Sequence, residues 1–248
     1  MNKELAITDL TRMQRGHVCI AGYDKDGICI RPILQYPGID EQSLFMNDQP
    51  IVFPFAVVEY LLLRPRPQPP HTEDCYYDPT SIKFVRRVRD HKRERLLNLS
   101  LFESVAAIFE QPIHNERGHY IMDGAGPRSL GTILLQDVLE IRYEKDARSG
   151  NWDYRIRFTD EQGESYRLKI TDLTWHYYCD SLRDENHSPT EIASDLSQML
   201  ASRKVYLRVG LSRGWAEHPD RCYLQVNGIH TFPDYLNGKT FADFRPSR

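Results

Sequence analysis

Two short stretches in the second half of the chain, Tyr154-Arg155-Ile156-Arg157-Phe158 and Tyr166-Arg167-Leu168-Lys169-Ile170, alternate apolar and basic residues. A period of two is the repeat of a β-strand, whose successive side chains point to opposite faces. A helix would scatter the same residues around its circumference. One face of each stretch, Tyr154, Ile156 and Phe158 or Tyr166, Leu168 and Ile170, is therefore expected in a core. The other face carries Arg155 and Arg157, or Arg167 and Lys169. Antiparallel pairing across the turn Asp160-Glu161-Gln162-Gly163 would gather these four cations into one patch.

The neighbouring segments give these strands a place. Residues 138–144 read as a preceding strand, followed by a polar loop over 145–151. Residues 189–202 read as a helix: Ser188 suits the N-cap, Pro189 the first position, and Glu191 completes a capping box. Ile192, Leu196, Met199 and Leu200 form its apolar stripe. Residues 205–211 and 222–229 read as two more strands. Three strands, a helix and two strands is the element order of an OB-fold barrel.

The first half offers a looser copy. A hairpin is expected over 17–23 and 28–33, around Asp24-Lys25-Asp26-Gly27, then strands over 52–63 and 82–88. The proline-rich stretch 64–70 between those two strands forbids regular structure. A helix is expected over 94–110, because Leu97, Leu101, Val105 and Ile108 share one face. No residue-level repeat relates the halves. The expected fold is mainly β (β-rich α+β): two OB-like Greek-key barrels, each with a helix between its third and fourth strands. The first occupies 1–115 with a proline-rich insertion, a connection covers 116–132, and the second barrel and its C-terminal tail cover 133–248.

Charge narrows the function classes. The 248 residues sum to a net charge of -3, so nucleic acid would have to be met by a local basic face. The loop between strands one and two of the second barrel adds Arg148 and Trp152 to the basic strand pair. The loop between strands four and five adds Arg213, Trp215, His218 and Arg221. Cations for phosphates and flat rings for bases are what single-strand binding requires, with stacking worth about 1–3 kcal/mol per base. A merely solvated sheet face would show the same alternation; the two loop tryptophans favour binding. A second cluster holds Lys83, Arg86, Arg87, Arg89, Lys92, Arg93 and Arg95 against Asp90 and Glu94. It is a solvated corner or a second phosphate track, and Arg86 and Arg87 are its candidate contacts. Its position at a helix start, where the dipole disfavours positive charge, hints at another use.

Catalytic and metal chemistry finds less support. His114, His119 and Asp123 lack ligand spacing, and His176 with Cys179 is the ordinary pattern of a packed core. Gly124, Gly126 and Gly131 do not form a dinucleotide fingerprint, and P-loop, HExxH and GxSxG motifs do not occur. No catalytic residue, metal ligand or cofactor is assigned. Five cysteines, an odd number without a CxxC, argue against a disulfide framework and fit a reducing compartment. Residues 1–10 lack the apolar core of a signal peptide, and the longest apolar run, 53–63, is interrupted by Pro54 and Glu59. A cytoplasmic protein without a membrane partner is expected.

Two stretches resemble a known family. One is Gly16-His-Val-Cys-Ile-Ala-Gly22 with Ile28-Cys-Ile-Arg-Pro-Ile33. The other is Leu207-Arg-Val-Gly-Leu-Ser-Arg213 with Cys222-Tyr-Leu-Gln-Val-Asn-Gly-Ile-His-Thr-Phe-Pro-Asp-Tyr-Leu236. Together they resemble the bacterial dual OB-fold (DuOB) family, found in mobile-element and anti-phage gene neighbourhoods. The resemblance covers both ends of the chain well and the middle poorly. It implies nucleic-acid or nucleotide recognition without an established reaction. Matched positions add Arg31, Pro32, Arg208, Arg213, Tyr223, Gln225, Asn227, Phe232, Asp234 and Tyr235 as candidates. Gln225 and Asn227 alternate with Leu224 and Val226, and an amide pointing away from the apolar face can read a base edge.

Three functions stay open. The first is binding of single-stranded or modified DNA or RNA. The second is an enzyme or sensor acting on a nucleotide or nucleobase, with Asp234, His230 or His176 in acid–base roles. The third is a protein-interaction subunit of a defence complex, docked through the basic corner.

Overall fold

The computed structural model describes residues 1–35, 38–147 and 149–246. The first strand, β1 (Asn2–Arg12), serves two partners. Its first half pairs with β4 (Ala56–Pro65) and its second half with β2 (His17–Tyr23), antiparallel in both cases. A register slip between Ile7 and Asp9 bends the strand where it changes partner. The chains cross so closely there that a Cβ on Gly22 would sit 2.5 Å from the Ala6 carbonyl oxygen. β3 (Cys29–Ile33) joins β2 antiparallel and β5 (Asp74–Tyr77) parallel, and β5 returns to β4. The ring β1-β2-β3-β5-β4 is thereby closed. β6 (Lys83–Arg87) hangs on the outside of β4, exposed along its length.

Three expectations for this half are corrected. The hairpin at 17–33 forms the second and third strands, because β1 precedes it. Among the described residues the third and fourth strands are joined by a 3-10 turn, Glu41–Leu44, and a tiny hairpin, with no α-helix. The proline-rich stretch 64–70 finishes β4 with Arg64 and Pro65 and then connects it to β5. The single helix over 94–110 is also two: α1 (Asp90–Leu97) and α2 (Val105–Phe109). Ser104 starts α2 afresh in extended conformation, its hydroxyl accepting from the Ala107 amide at 3.1 Å. Leu101, expected on the buried stripe, lies in a two-residue strand between them and is 41% exposed.

The second barrel repeats the first with its opening strand cut in two. After β7 (His119–Met122), β8 (Leu130–Leu134) pairs with the fourth strand and β9 (Asp137–Lys145) with the second, β10 (Trp152–Thr159). β11 (Ser165–Ile170) follows in antiparallel pairing with β10, as expected. Two helices then precede strands four and five. α3 (Leu173–Asp184) is capped by Asp172, whose carboxylate accepts from the Thr174 amide at 2.8 Å; α4 (Pro189–Ala201) carries the expected Ser188–Glu191 capping box. β12 (Lys204–Leu211) pairs with β8 and with β13 (Arg221–Phe232), and β13 lies parallel to β11. The ring is β8/β9-β10-β11-β13-β12.

The barrels are welded side to side. One core gathers residues from Leu5 to Ile82, the other from Val105 to Tyr235. Leu173, Tyr177 and Phe241 cross over to pack on the first core, and Tyr23, Phe55, Leu96, Leu97 and Tyr206 form a third apolar cluster between the two. At the seam Arg208, wholly buried, holds both carboxylate oxygens of Asp9 at 3.0–3.1 Å through its Nε. Its Nη1 donates to Tyr23, Ser100 and Thr132 hydroxyls at 2.7–2.9 Å. Burial opposes the charge of Arg208, but Asp9, with Tyr23 and Cys29 beside it, raises its pKa all the same. Among the described residues, no helix is long and apolar enough to cross a membrane.

Candidate nucleic-acid interface

The cross-strand register decides which cations meet. On the outer face of the second barrel Arg142 stands opposite Arg155, Arg155 opposite Lys169, and Lys169 opposite Gln225. That is one row across four strands. A second row runs Glu140, Arg157, Arg167. Arg157, Arg167 and Lys169 are exposed and Arg155 is half-buried. Acidic neighbours temper the face: Arg155 reaches Asp153 at 2.6 Å, Arg157 lies 3.7 Å from Glu140, and Arg142 pairs with Glu144. Solvent-exposed pairs of this kind are worth about 0–1 kcal/mol, so a phosphate can replace the carboxylate at little cost. Arg167 and Lys169 have no carboxylate within ion-pair reach among the described residues.

A run of rings borders this face. Tyr223 shares its strand side with Gln225, two residues along β13. β7 pairs beside it, placing Tyr120 opposite Tyr223 with ring centroids 5.5 Å apart. His114 stacks on Tyr120 at 5.1 Å, His218 lies 6.2 Å from Tyr223, and Trp215 lies 5.7 Å from His218. Arg221 sits over the Tyr120 ring at 4.4 Å. Tyr120 is buried, Tyr223 half-buried and Trp215 51% exposed, so the run opens outward toward Trp215. Arg142 and Tyr120 were not singled out in the sequence. Arg142 alternates with inward-facing Ile141 and Tyr143, the same signal that found Arg155.

The remaining candidates fall elsewhere. Trp152 has the strand parity of Tyr154 and turns inward, half-buried against the second core with Tyr143 at 4.7 Å and the Arg183 guanidinium at 4.6 Å from its ring, so it caps the barrel end. Arg213 is half-exposed but reaches back to Asp74 of the first barrel, whose other oxygen takes Arg31 Nε at 2.6 Å. Arg31 and Arg208 are buried and spent on the seam, and buried Asn227 accepts a long 3.3 Å bond from Thr171. None of these three presents a group to a surface ligand. Arg86 pairs loosely with Glu4 at 3.5 Å, and Arg87 donates to the Gly238 carbonyl at 2.9 Å. Arg148 lies outside the described residues.

The equivalent face of the first barrel is closed. Its outward positions on β2 and β3 run His17, Cys19, Ala21, Tyr23 and Cys29, Arg31, Ile33, and none is exposed. Tyr23 and Cys29 pack with Tyr206, Leu134 and Phe232 of the second barrel, while Ser129 donates its amide and hydroxyl to Glu73 at 2.7 and 2.9 Å.

The acid–base candidates are locked in structural bonds. His230 Nε2 donates to the Thr8 carbonyl at 3.0 Å, and His176 Nε2 to the Ile170 carbonyl at 2.8 Å; burial lowers both pKa values to about 4. Burial pushes the Cys179 thiol well up, away from a reactive thiolate. Among the described residues no group of three His, Cys, Asp or Glu is placed to hold a metal. At the seam a cleft is lined by Phe53, Phe55, Asp172, His230, Asp234 and Tyr235, among others. Burial pushes the Asp172 carboxyl up to about 7 against three backbone amides that favour its charge. Phe55 holds a left-handed φ of +68°, a conformation that costs a bulky residue about 1–3 kcal/mol.

Two closed five-stranded rings of one strand order, each with its third and fifth strands parallel, define a tandem of OB-fold barrels. The chain belongs to the dual OB-containing domain family, whose model matches residues 4–229. No curated protein matches it. Among solved structures, one described as a murine DNA binding protein bound with ds DNA aligns with 92% of this chain and 99% of its own, at 11% identity and a TM-score of 0.32. A likeness that distant carries no argument about the ligand.

Proposed function

We propose that this chain binds single-stranded nucleic acid, DNA or RNA, along the outer face of β10 and β11. The carrying observation is the contrast between the two barrels: one such face is covered at the seam and exposes none of its outward residues, while the other is open, basic, and bordered by rings. Arg155, Arg157, Arg167 and Lys169 meet phosphates, and Gln225 at the end of their row meets a base edge. Tyr223, His218 and Trp215 receive bases by stacking. Unpaired bases suit such a run because their faces are free, whereas a duplex hides them. A bacterial mobile-element or defence setting belongs to the same proposal and rests on the family resemblance.

The test is fluorescence anisotropy of labelled single-stranded DNA, single-stranded RNA and duplex DNA at several salt concentrations. Four phosphate contacts predict a slope of log K against log salt of about -3 for single strands. Changing Arg155, Arg157, Arg167 and Lys169 to glutamate should abolish binding while the circular-dichroism spectrum is kept. Unchanged affinity in that variant would sink the assignment.

A further inference from the structure

The cleft at the seam has features that packing alone does not require. Its walls come from both barrels: Phe53, Phe55, Arg87 and Arg93 from the first half, Asp172, Thr174 and segment 229–240 from the second. It encloses about 40 Å³, room for a few waters or one group of that size. Tyr235 and Thr174, 6% and 2% exposed, both line it, and neither hydroxyl has a hydrogen-bond partner. Such buried hydroxyls call for water or a ligand.

The charges around the cleft point to the ligand. Arg87 lies over the Phe53 ring at 4.6 Å and Arg93 over Phe55 at 4.9 Å. Arg87 gives one N–H to the Gly238 carbonyl at 2.9 Å, and the remaining N–H groups of its stacked guanidinium point outward in its own plane. Arg93 donates to Asp234 at 3.1 Å and pairs with Asp90 at 2.9 Å, yet its buried Nε has no partner. Lys239 is exposed among the same lining residues. Asp234 opposes these cations, but it is engaged by Arg93 and by the Leu236 and Gly238 amides, each at 3.0 Å. The strained Phe55 is held by its amide to the Ile7 carbonyl at 2.7 Å and by its carbonyl to the Val88 amide at 2.8 Å. That places its ring in the wall, 4.8 Å from His230.

We infer that the seam cleft binds a phosphate monoester, with Arg87, Arg93 and Lys239 gripping the phosphoryl oxygens and the Tyr235 and Thr174 hydroxyls completing the polar lining. Arginine forks match the oxygens of a phosphate, and the three cations outnumber Asp234 and Arg93's second partner Asp90, while burial favours the neutral form of Asp172. The monoester has two sources, a free nucleoside monophosphate or the phosphorylated end of a strand. This site is separate from the strand-binding face on β10 and β11.

Isothermal titration of the full chain with inorganic phosphate, with a nucleoside 5′-monophosphate and with the matching nucleoside tests it. Phosphate and the monophosphate should bind saturably and the nucleoside should not. Arg87→Glu with Lys239→Glu changes two exposed side chains and should weaken monophosphate binding at least about tenfold. A decamer with a 5′-phosphate that outbinds its 5′-hydroxyl form, with the gain lost in that variant, identifies a strand end as the source. Equal binding of the two decamers beside saturable monophosphate binding identifies the free nucleotide. The glutamate variant of the β10–β11 face should bind monophosphate normally, so the two sites fail separately. Absence of saturable phosphate and monophosphate binding, or binding unchanged in Arg87→Glu/Lys239→Glu, overturns the inference.

Discussion

Arg208→Met is the sharpest probe of how the two barrels are joined. The side chain is wholly buried and Asp9 is 1% exposed, so the substitution strands a carboxylate away from water. Breaking one partner of a buried pair costs about 3–5 kcal/mol. The hydroxyls of Tyr23, Ser100 and Thr132 add little, since Ser100 already lies 3.0 Å from Thr132 and accepts from Tyr23. A loss of about 4 kcal/mol is expected. With a urea m-value of about 2–3 kcal/mol per molar, the midpoint should fall by about 1–2 M. Trp175, fully buried in the second core, reports the transition by fluorescence. Asp9→Leu alone should cost a similar amount by leaving the guanidinium unpaired. The double variant Asp9→Leu/Arg208→Met should recover about 2 kcal/mol or more of the summed losses, because an apolar pair leaves no buried charge. A midpoint shift of only a few tenths molar in Arg208→Met, or strict additivity in the cycle, would refute a buried pair at the seam.

Two further outcomes follow from the same geometry. Burial lowers the pKa of His176 and His230 to about 4 and, with Arg31 and Arg213 nearby, that of His71 to about 2. The unfolded chain takes up these protons below pH about 6.5 while the folded chain does not, so stability is lost as pH falls from there. Asp172, raised to about 7, works oppositely, since the folded state keeps its proton while the unfolded state releases it near pH 4. Three groups against one give a net loss on the order of 3–4 kcal/mol between pH 6.5 and 5; a melting temperature higher at pH 5 than at pH 6.5 would contradict this. Tyr223→Ala should weaken single-strand binding by the stacking of about one base, roughly 5- to 150-fold, and leave the salt slope unchanged; equal affinity in anisotropy would remove Tyr223 from the base path.

What the sequence revealed follows from which surfaces meet water. β10 and β11 were legible because one face is solvated, so apolar and basic residues alternate cleanly. β1 was missed because Ile7 to Thr11 are all buried, between their own core on one side and the second barrel on the other. Its bulge breaks the period as well. α3 was missed for a similar reason: Leu173 to Tyr177 are buried without interruption, leaving no polar side to mark a helix. Arg31 and Arg208 stand in their strands much as Arg155 does. Alternation says only that a residue points out of its own barrel. It cannot distinguish water from a neighbouring barrel, and these two arginines meet the neighbour. Trp152 was misplaced for want of one parity count from Tyr154.

The covered face of the first barrel also bears on how the proposed function would work on a long strand. Tethered modules gain avidity because the first contact raises the effective concentration of the second. Here the second contact is already spent inside the molecule, and the Arg208–Asp9 weld leaves no flexible tether to explore with. On the proposed strand-binding function, each copy should occlude the stretch that one barrel spans, about 4–16 nucleotides, although it carries two. Copies would then tile a strand at that interval, with a stoichiometry counted per chain and not per barrel.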